Sequence, residues 1–232
     1  MATLTTTPIL TRVSTLLQDV TNIRWTKAEL LTYLSDGQRE LCVYKPDACV
    51  KTSVVNLVAG TKQGIPADGT TLIDIVRNMG VGGATAGTAP RAVTREILDA
   101  QLPGWHASTA SAEVKHYTFD PQNQKVFYVY PPQPSSGMGS LEVVYSAEPA
   151  NAAENGTLDL DGTWVPAIVN YTLYRCYSKD AEYAKNPALA ATYYQSFVAA
   201  LGIRSNVASA DDPNANSTFN PAVAPGAAAV PR

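Results

Sequence analysis

The apolar residues of this chain change their period twice, and that double change limits the possible folds more than any other feature. Up to Pro46 they recur at helical spacing, from Val50 to Tyr145 they alternate as in half-buried strands, and from Val165 to Leu201 the helical spacing returns. Neither helical end has enough apolar surface to close a core by itself, so the two ends are expected to pack on each other across the strands between them. A bundle discontinuous in sequence, carrying a β insertion, follows from this.

The helix boundaries are well signalled. Thr7 and Pro8 are placed as N-cap and first helical residue, with Ile9, Val13, Leu16 and Val20 on one face. Thr26 and Glu29 form a capping box, and Trp25 is positioned to staple onto Leu30. The stripe Leu30, Leu34, Leu41 and Tyr44 skips Gly37, a glycine that marks a close helix contact, and Pro46 ends the element. Near the C-terminus, Thr163 caps and Pro166 is tolerated in the opening turn of a helix with Val165, Val169, Leu173 and Cys176 on one face. Asn186 and Pro187 start the last helix, whose stripe is Ala190, Tyr194, Phe197 and Leu201, and Gly202 is placed to end it. Residues 205–232 are too poor in large apolar groups to offset their ordering entropy, and are expected to order only on a partner.

Between the helical ends, residues 51–58, 71–76, 114–119, 125–130 and 141–145 are rich in β-branched and aromatic side chains and predict strands. Asp120-Pro121-Gln122-Asn123 predicts the turn of a hairpin pairing residues 116–119 with 126–129. A short helix is expected over 94–102, and the Gly/Ala/Thr run 80–88 and the Pro/Ser/Gly run 131–139 predict exposed, mobile loops. The fold class is therefore α+β: a discontinuous four-helix bundle, an inserted antiparallel β domain and a disordered or extended C-terminal tail. Its divisions are 1–49 and 151–204 for the two halves of the bundle, 50–150 for the insertion and 205–232 for the tail. The shared core is predicted at Leu30, Leu34, Leu41, Val169, Leu173, Phe197 and Leu201.

Charge and motif content exclude several functions. With 17 basic and 20 acidic side chains and no basic cluster, the chain lacks the patch that tight phosphate-backbone binding requires. Cys42, Cys49 and Cys176 have no metal-ligand spacing and read as reduced, buried or incidental thiols, so no metal or other cofactor is expected. No apolar run approaches the roughly 20 residues that cross a bilayer, and no membrane partner is expected. Asp159-Leu160-Asp161-Gly162 lacks the remaining ligands of a calcium loop and reads as a helix-approach turn. His106 and His116 have no nucleophile or carboxylate at a telling spacing, so no enzyme is predicted.

The order of motifs nevertheless resembles one family. Ile9-Leu10-Thr11-Arg12-Val13 is followed by Trp25-Thr26-Lys27-Ala28-Glu29-Leu30-Leu31, then Ala59-Gly60-Thr61-Lys62-Gln63-Gly64-Ile65-Pro66 and Leu72-Ile73-Asp74-Ile75-Val76-Arg77-Asn78. Phe119-Asp120-Pro121, Val126-Phe127-Tyr128-Val129-Tyr130-Pro131, Leu173-Tyr174-Arg175, Ser178-Lys179-Asp180 and Tyr193-Tyr194 complete the series. Together they resemble the head-to-tail adaptor proteins of tailed bacteriophages, especially short-tailed ones.

The resemblance implies a structural protein made in the host bacterial cytoplasm and resident at the head–tail junction of the virion. It implies a homo-oligomeric ring of about twelve copies between the portal protein and a tail or nozzle protein, with genomic DNA passing through the channel without specific binding. On that reading Phe219, Pro221, Val223, Pro225, Val230 and Pro231 are the anchors by which the tail docks on the portal. Tyr174, Tyr177 and Tyr193 are candidates for the subunit interface, since tyrosine offers contact area with a polar tip. The alternative is a receptor- or carbohydrate-binding tail module, in which exposed Trp105, Tyr128 and Tyr130 of the insertion stack on sugars.

Overall fold

The computed structural model describes residues 4–120, 122–179 and 186–211, with residues 203–211 as backbone alone. Strand β1 (Leu4–Thr5) leads into α1 (Thr6–Leu16) and pairs antiparallel with β9 (Thr157–Leu158), tying the start of the chain to the segment before the late helices. That pairing also sets where α1 starts: the Thr6 amide donates to the Gly156 carbonyl at 3.0 Å and its buried hydroxyl to the Ala153 carbonyl at 2.7 Å. The helix therefore begins before the expected Thr7 cap. It ends before Gln18, whose φ of 57° is left-handed, so Val20 does not reach the buried face. Leu10 and Leu17 join Ile9 and Val13 there, while Leu16 is exposed.

Helix α2 (Lys27–Tyr44) starts as its cap predicts, with Thr26 Oγ1 accepting the Glu29 amide at 3.3 Å and Trp25 and Leu30 both buried. A Cβ on Gly37 would lie 2.9 Å from Tyr171 Cδ1, which is the close helix contact that the glycine marks. A 3-10 turn (Pro46–Cys49) follows, and Cys42 and Cys49 are joined as a disulfide across it. This corrects the reading of both as reduced thiols. The 3-10 turn folds the chain back and brings the two Cα atoms to 5.9 Å, a proximity that their spacing in the sequence does not dictate.

The late helices are α4 (Val165–Lys179) and α5 (Asn186–Asp211). Asp161, not Thr163, provides the first cap, accepting the Thr163 amide at 2.7 Å to start a 3-10 turn (Gly162–Trp164) that runs into α4. Helix α5 passes through Gly202, the expected stop, and continues to Asp211. A helical glycine costs only about 1 kcal/mol, and no proline follows Gly202 until Pro213. Residues 205–211, assigned to the tail from composition, are thus helical.

Helix α4 is the hub, with α1, α2 and α5 all packed on it. It runs antiparallel to α2, since Lys179 meets Glu29 and Tyr171 meets Gly37, and antiparallel to α5, since Tyr177 meets Tyr193 and Tyr171 meets Phe197. Leu30, Leu34, Leu41, Val169, Leu173, Phe197 and Leu201 are all buried in one cluster around it. The helices thus form a hub with three neighbours, and the discontinuous four-helix bundle expected from the sequence is borne out only to that extent.

The intervening segment forms two sheets with a separate core. One has the order β2 (Val50–Asn56), β8 (Gly139–Ala147), β4 (Gly69–Val81). The other has the order β3 (Gly60–Gly64), β7 (Asn123–Gln133), β6 (His116–Asp120), β5 (Arg91–Ala92), with β5 parallel to β6. The predicted hairpin is present, with Phe119 opposite Phe127 and Tyr117 opposite Val129. A short helix, α3 (Arg95–Gln101), caps at Thr94.

Three buried amide side chains secure the connections. Asn78 donates to the Thr88 and Val114 carbonyls at 2.9 and 2.8 Å and accepts the Val114 amide at 2.9 Å. Gln133 donates to the Ser111 carbonyl and accepts the Gly139 amide, and Gln63 bonds to both backbone groups of Val58. The loop over 80–88 is exposed as expected but is fastened by Asn78. The run 131–139 is not a loop throughout: Pro131, Pro132 and Gln133 lie buried in β7, and only residues 134–138 connect the strands.

Candidate docking surface

On α4 and α5 the aromatic side chains form a ladder that begins in the core and climbs to the surface. Tyr171 is buried against Phe197 with ring centres 5.3 Å apart, Tyr174 packs on Tyr194 at 5.0 Å, and Tyr177 stacks on Tyr193 at 5.6 Å with nearly parallel rings. The structure places Tyr174, Tyr177 and Tyr193 together, half-buried at the helix seam. Arg175 lies over the Tyr33 ring at 5.3 Å and reaches Asp36 at 3.5 Å, while the Tyr33 hydroxyl donates to Glu29, which also accepts from Lys179 at 2.6 Å. Burial and the Glu29 carboxylate push the Tyr33 hydroxyl up to about 12, and the Tyr44 hydroxyl beside Tyr194, together with burial, does the same there. Burial raises the Cys176 thiol to about 12 as well, which leaves it no thiolate for nucleophilic chemistry.

A second surface is the loop between α1 and α2. The Asp19 carboxylate accepts the backbone amides of Ile23, Arg24 and Trp25 at 2.9 to 3.0 Å, and these bonds, led by that of Trp25, hold it below the usual carboxylate range. Asn22, left-handed at φ 56°, accepts from the Ser14 hydroxyl at 2.8 Å. A loop so tied presents Val20 and Ile23, 71% and 83% exposed, in a fixed arrangement. Sequence reasoning missed it by placing Val20 on a helix, although Asp19 followed by the polar Thr21-Asn22 pair was a turn signal.

The insertion carries a groove of about 780 Å³ between α3 and the four-stranded sheet, with Tyr117, Phe119 and Tyr128 among its lining and Arg95, Glu96 and Asp99 from the helix. Asp99 accepts from Trp105 Nε1 at 2.8 Å and from Arg95, and the Trp105 bond chiefly keeps it ionised. Trp105 is only 1% exposed, stacked on His106. This corrects the expectation of an exposed Trp105 and removes the main platform of the sugar-binding alternative, leaving Tyr128 and Tyr130 half-buried. A tryptophan has too much apolar area to stay in solvent when neighbouring rings, here His106 and Tyr128, can pack on it and a short helix can satisfy its N–H. His106 bonds Thr61 and His116 stacks on Tyr130, so the two histidines serve different places. Asp159 pairs with Lys51 while Asp161 caps, as a helix-approach turn requires. Among the described residues no group of three or more His, Cys, Asp or Glu side chains is placed to hold a metal, and no helix is long and apolar enough to cross a membrane.

The expected portal anchors Phe219, Pro221, Val223, Pro225, Val230 and Pro231 lie outside the described residues. Comparison with curated proteins returns no match. Residues 4–222 match the family model described as SU10 adaptor protein, a match that takes in both cores and the beginning of the tail.

Proposed function

We propose, from the premise that this chain belongs to the SU10 adaptor protein family and is a phage head-to-tail adaptor, that it docks as a ring on the portal and carries the DNA exit channel on toward the tail. As an adaptor it is a structural component of the virion, and its chemistry is that of surfaces that fit. The observation that carries the reading is the family match across nearly the whole chain. In the proposed assembly about twelve copies close a heterologous ring, each subunit meeting its neighbours through two different faces. The seam holding Tyr174, Tyr177 and Tyr193 supports a role as one of those faces, being aromatic and only half covered within the chain. The anchors from Phe219 to Pro231 engage the portal, and a tail or nozzle protein docks on the opposite side. DNA passes without specific binding, in keeping with a net charge of −3 and the absence of a basic cluster.

Native mass spectrometry of the portal ring from the same genome, mixed with the full-length chain or with a chain ending at Asp211, tests this. The full-length chain is expected to add a ring of copies and the shortened chain to add few or none. Equal binding by both would remove the tail from the contact. Failure of the full-length chain to bind would sink the portal-docking reading.

A further inference from the structure

The two edges of the three-stranded sheet are built differently. Strand β4 is broken by register shifts at four places along its pairing with β8, which bends it and spoils the row of backbone groups on its outer side. Strand β2 pairs with β8 over seven consecutive residues without a shift, contains no proline, and has no strand on its outer side among the described residues. Alternate residues of such a strand turn both N–H and C=O outward. The single charge on it, Lys51, which would ordinarily discourage pairing, is turned to Asp68 and Asp159 at 3.4 Å each. Along its outer sheet face β2 shows Val50 and Val54, 42% and 44% exposed, with Thr52 between them.

The sequence beyond Asp211 fits that edge in a specific way. All four of its prolines, Pro213, Pro221, Pro225 and Pro231, fall on odd-numbered positions. In an extended strand, residues of one parity point their N–H groups to the same side, so every missing donor would face away from β2 and every even-numbered amide toward it. The outward backbone groups of β2 belong to Val50, Thr52, Val54 and Asn56, since the Leu57 amide donates to the Gly139 carbonyl of β8 and fixes the odd-numbered residues inward. In a parallel addition the residues opposite them turn their own N–H groups away, which sets Phe219, Pro221, Val223 and Pro225 on the face of Val50 and Val54. The path is short enough. Helix α5 runs alongside α2 in the same direction, with Phe197 beside Tyr44, so its backbone advances roughly 20 Å beyond Tyr44 by Asp211. Tyr44 is also where the chain turns into β2, and residues 212–216 span up to about 17 Å more.

We propose that in the free protein residues 217–225 add to the outer edge of β2 as a fourth strand, parallel to it, and that the portal competes for this segment. The edge then masks the tail until a portal ring is met.

Amide exchange resolved by residue on the full-length chain, with no portal present, tests the proposal and is unaffected by any failure of portal docking. The outward amides of β2 are expected to exchange about tenfold or more slower than unpaired amides. Ala222→Pro and Ala224→Pro, which delete amides on the β2-facing parity, should abolish that slowing, whereas Ser217→Pro, on the proline parity, should preserve it. Unchanged exchange within β8 reports that the fold is intact in each variant. Fast outward amides in the wild-type chain, or slow ones in Ala224→Pro, would overturn the proposal.

Discussion

The helical unit and the β unit are held by different means. Around α4 the core is mainly an apolar cluster, with Gln38 and Thr172 buried beside it, and its helices satisfy their own backbone groups, so position is set chiefly by how side chains fill space. In the β unit the apolar cluster is smaller, and Asn78, Gln133 and Gln63 stand in for absent strand neighbours by bonding both backbone donors and acceptors. A helix-based core tolerates loss of one contact in proportion to the volume lost. A backbone clamp fails through the groups it leaves unpaired.

Truncating Leu173 to Ala should produce the largest effect, about 2 to 5 kcal/mol in urea or thermal denaturation, since it opens a cavity in the hub helix. Little loss there would break the comparison by showing that the helical core is not closely packed. Asn78→Ala should cost about 3 kcal/mol, because it leaves both backbone groups of Val114 without their partner, and the Val114 amide should lose exchange protection. Gly37→Ala should cost about 1 kcal/mol net: the helix gains propensity, but the new methyl would sit 2.9 Å from the Tyr171 ring and force it aside. A gain in thermal midpoint would show that Tyr171 yields freely.

The smallest effect concerns acid. The Asp19 and Glu29 carboxyls are held low by hydrogen bonds, from the Trp25 amide and from Lys179 first of all. Each therefore favours the fold above its unfolded pKa, and the benefit is lost as the pH falls below about 4 and through the lowered folded value. Thermal midpoints compared at pH 6 and pH 3 should fall less in Asp19→Asn than in the wild-type chain.

The helical unit was largely legible because its signals are local. Thr26 and Gly37 each fulfil the role their spacing predicts, and the predicted core residues lie in one cluster. Local rules erred where a distant partner intervened. Thr6 entered α1 because β1 pairs with β9, and Gly202 failed to stop α5 because one glycine is a weak breaker without a following proline. In the β unit, the hairpin around residues 120–123 followed from its turn residues, whereas the role of Asn78 was hidden. Its partners at Thr88 and Val114 are far along the chain, and nothing in the composition of a Gly/Ala/Thr run tells that it is fastened. The burial of Trp105 was hidden as well, since the Tyr128 ring beside it comes from β7 and its Asp99 acceptor from the fold of α3.

The union of the chain's two ends in one core has a consequence during synthesis. Helices α1 and α2 emerge from the ribosome first, but the helix they must pack against is made only after the whole β unit, a delay of roughly ten seconds at about 5 to 20 residues per second. The β unit is contiguous and can close while the early helices still expose Leu30, Leu34 and Leu41. Newborn chains interrupted before α4 would therefore be the aggregation-prone species, and full-length protein should become protease-resistant in its first 49 residues last.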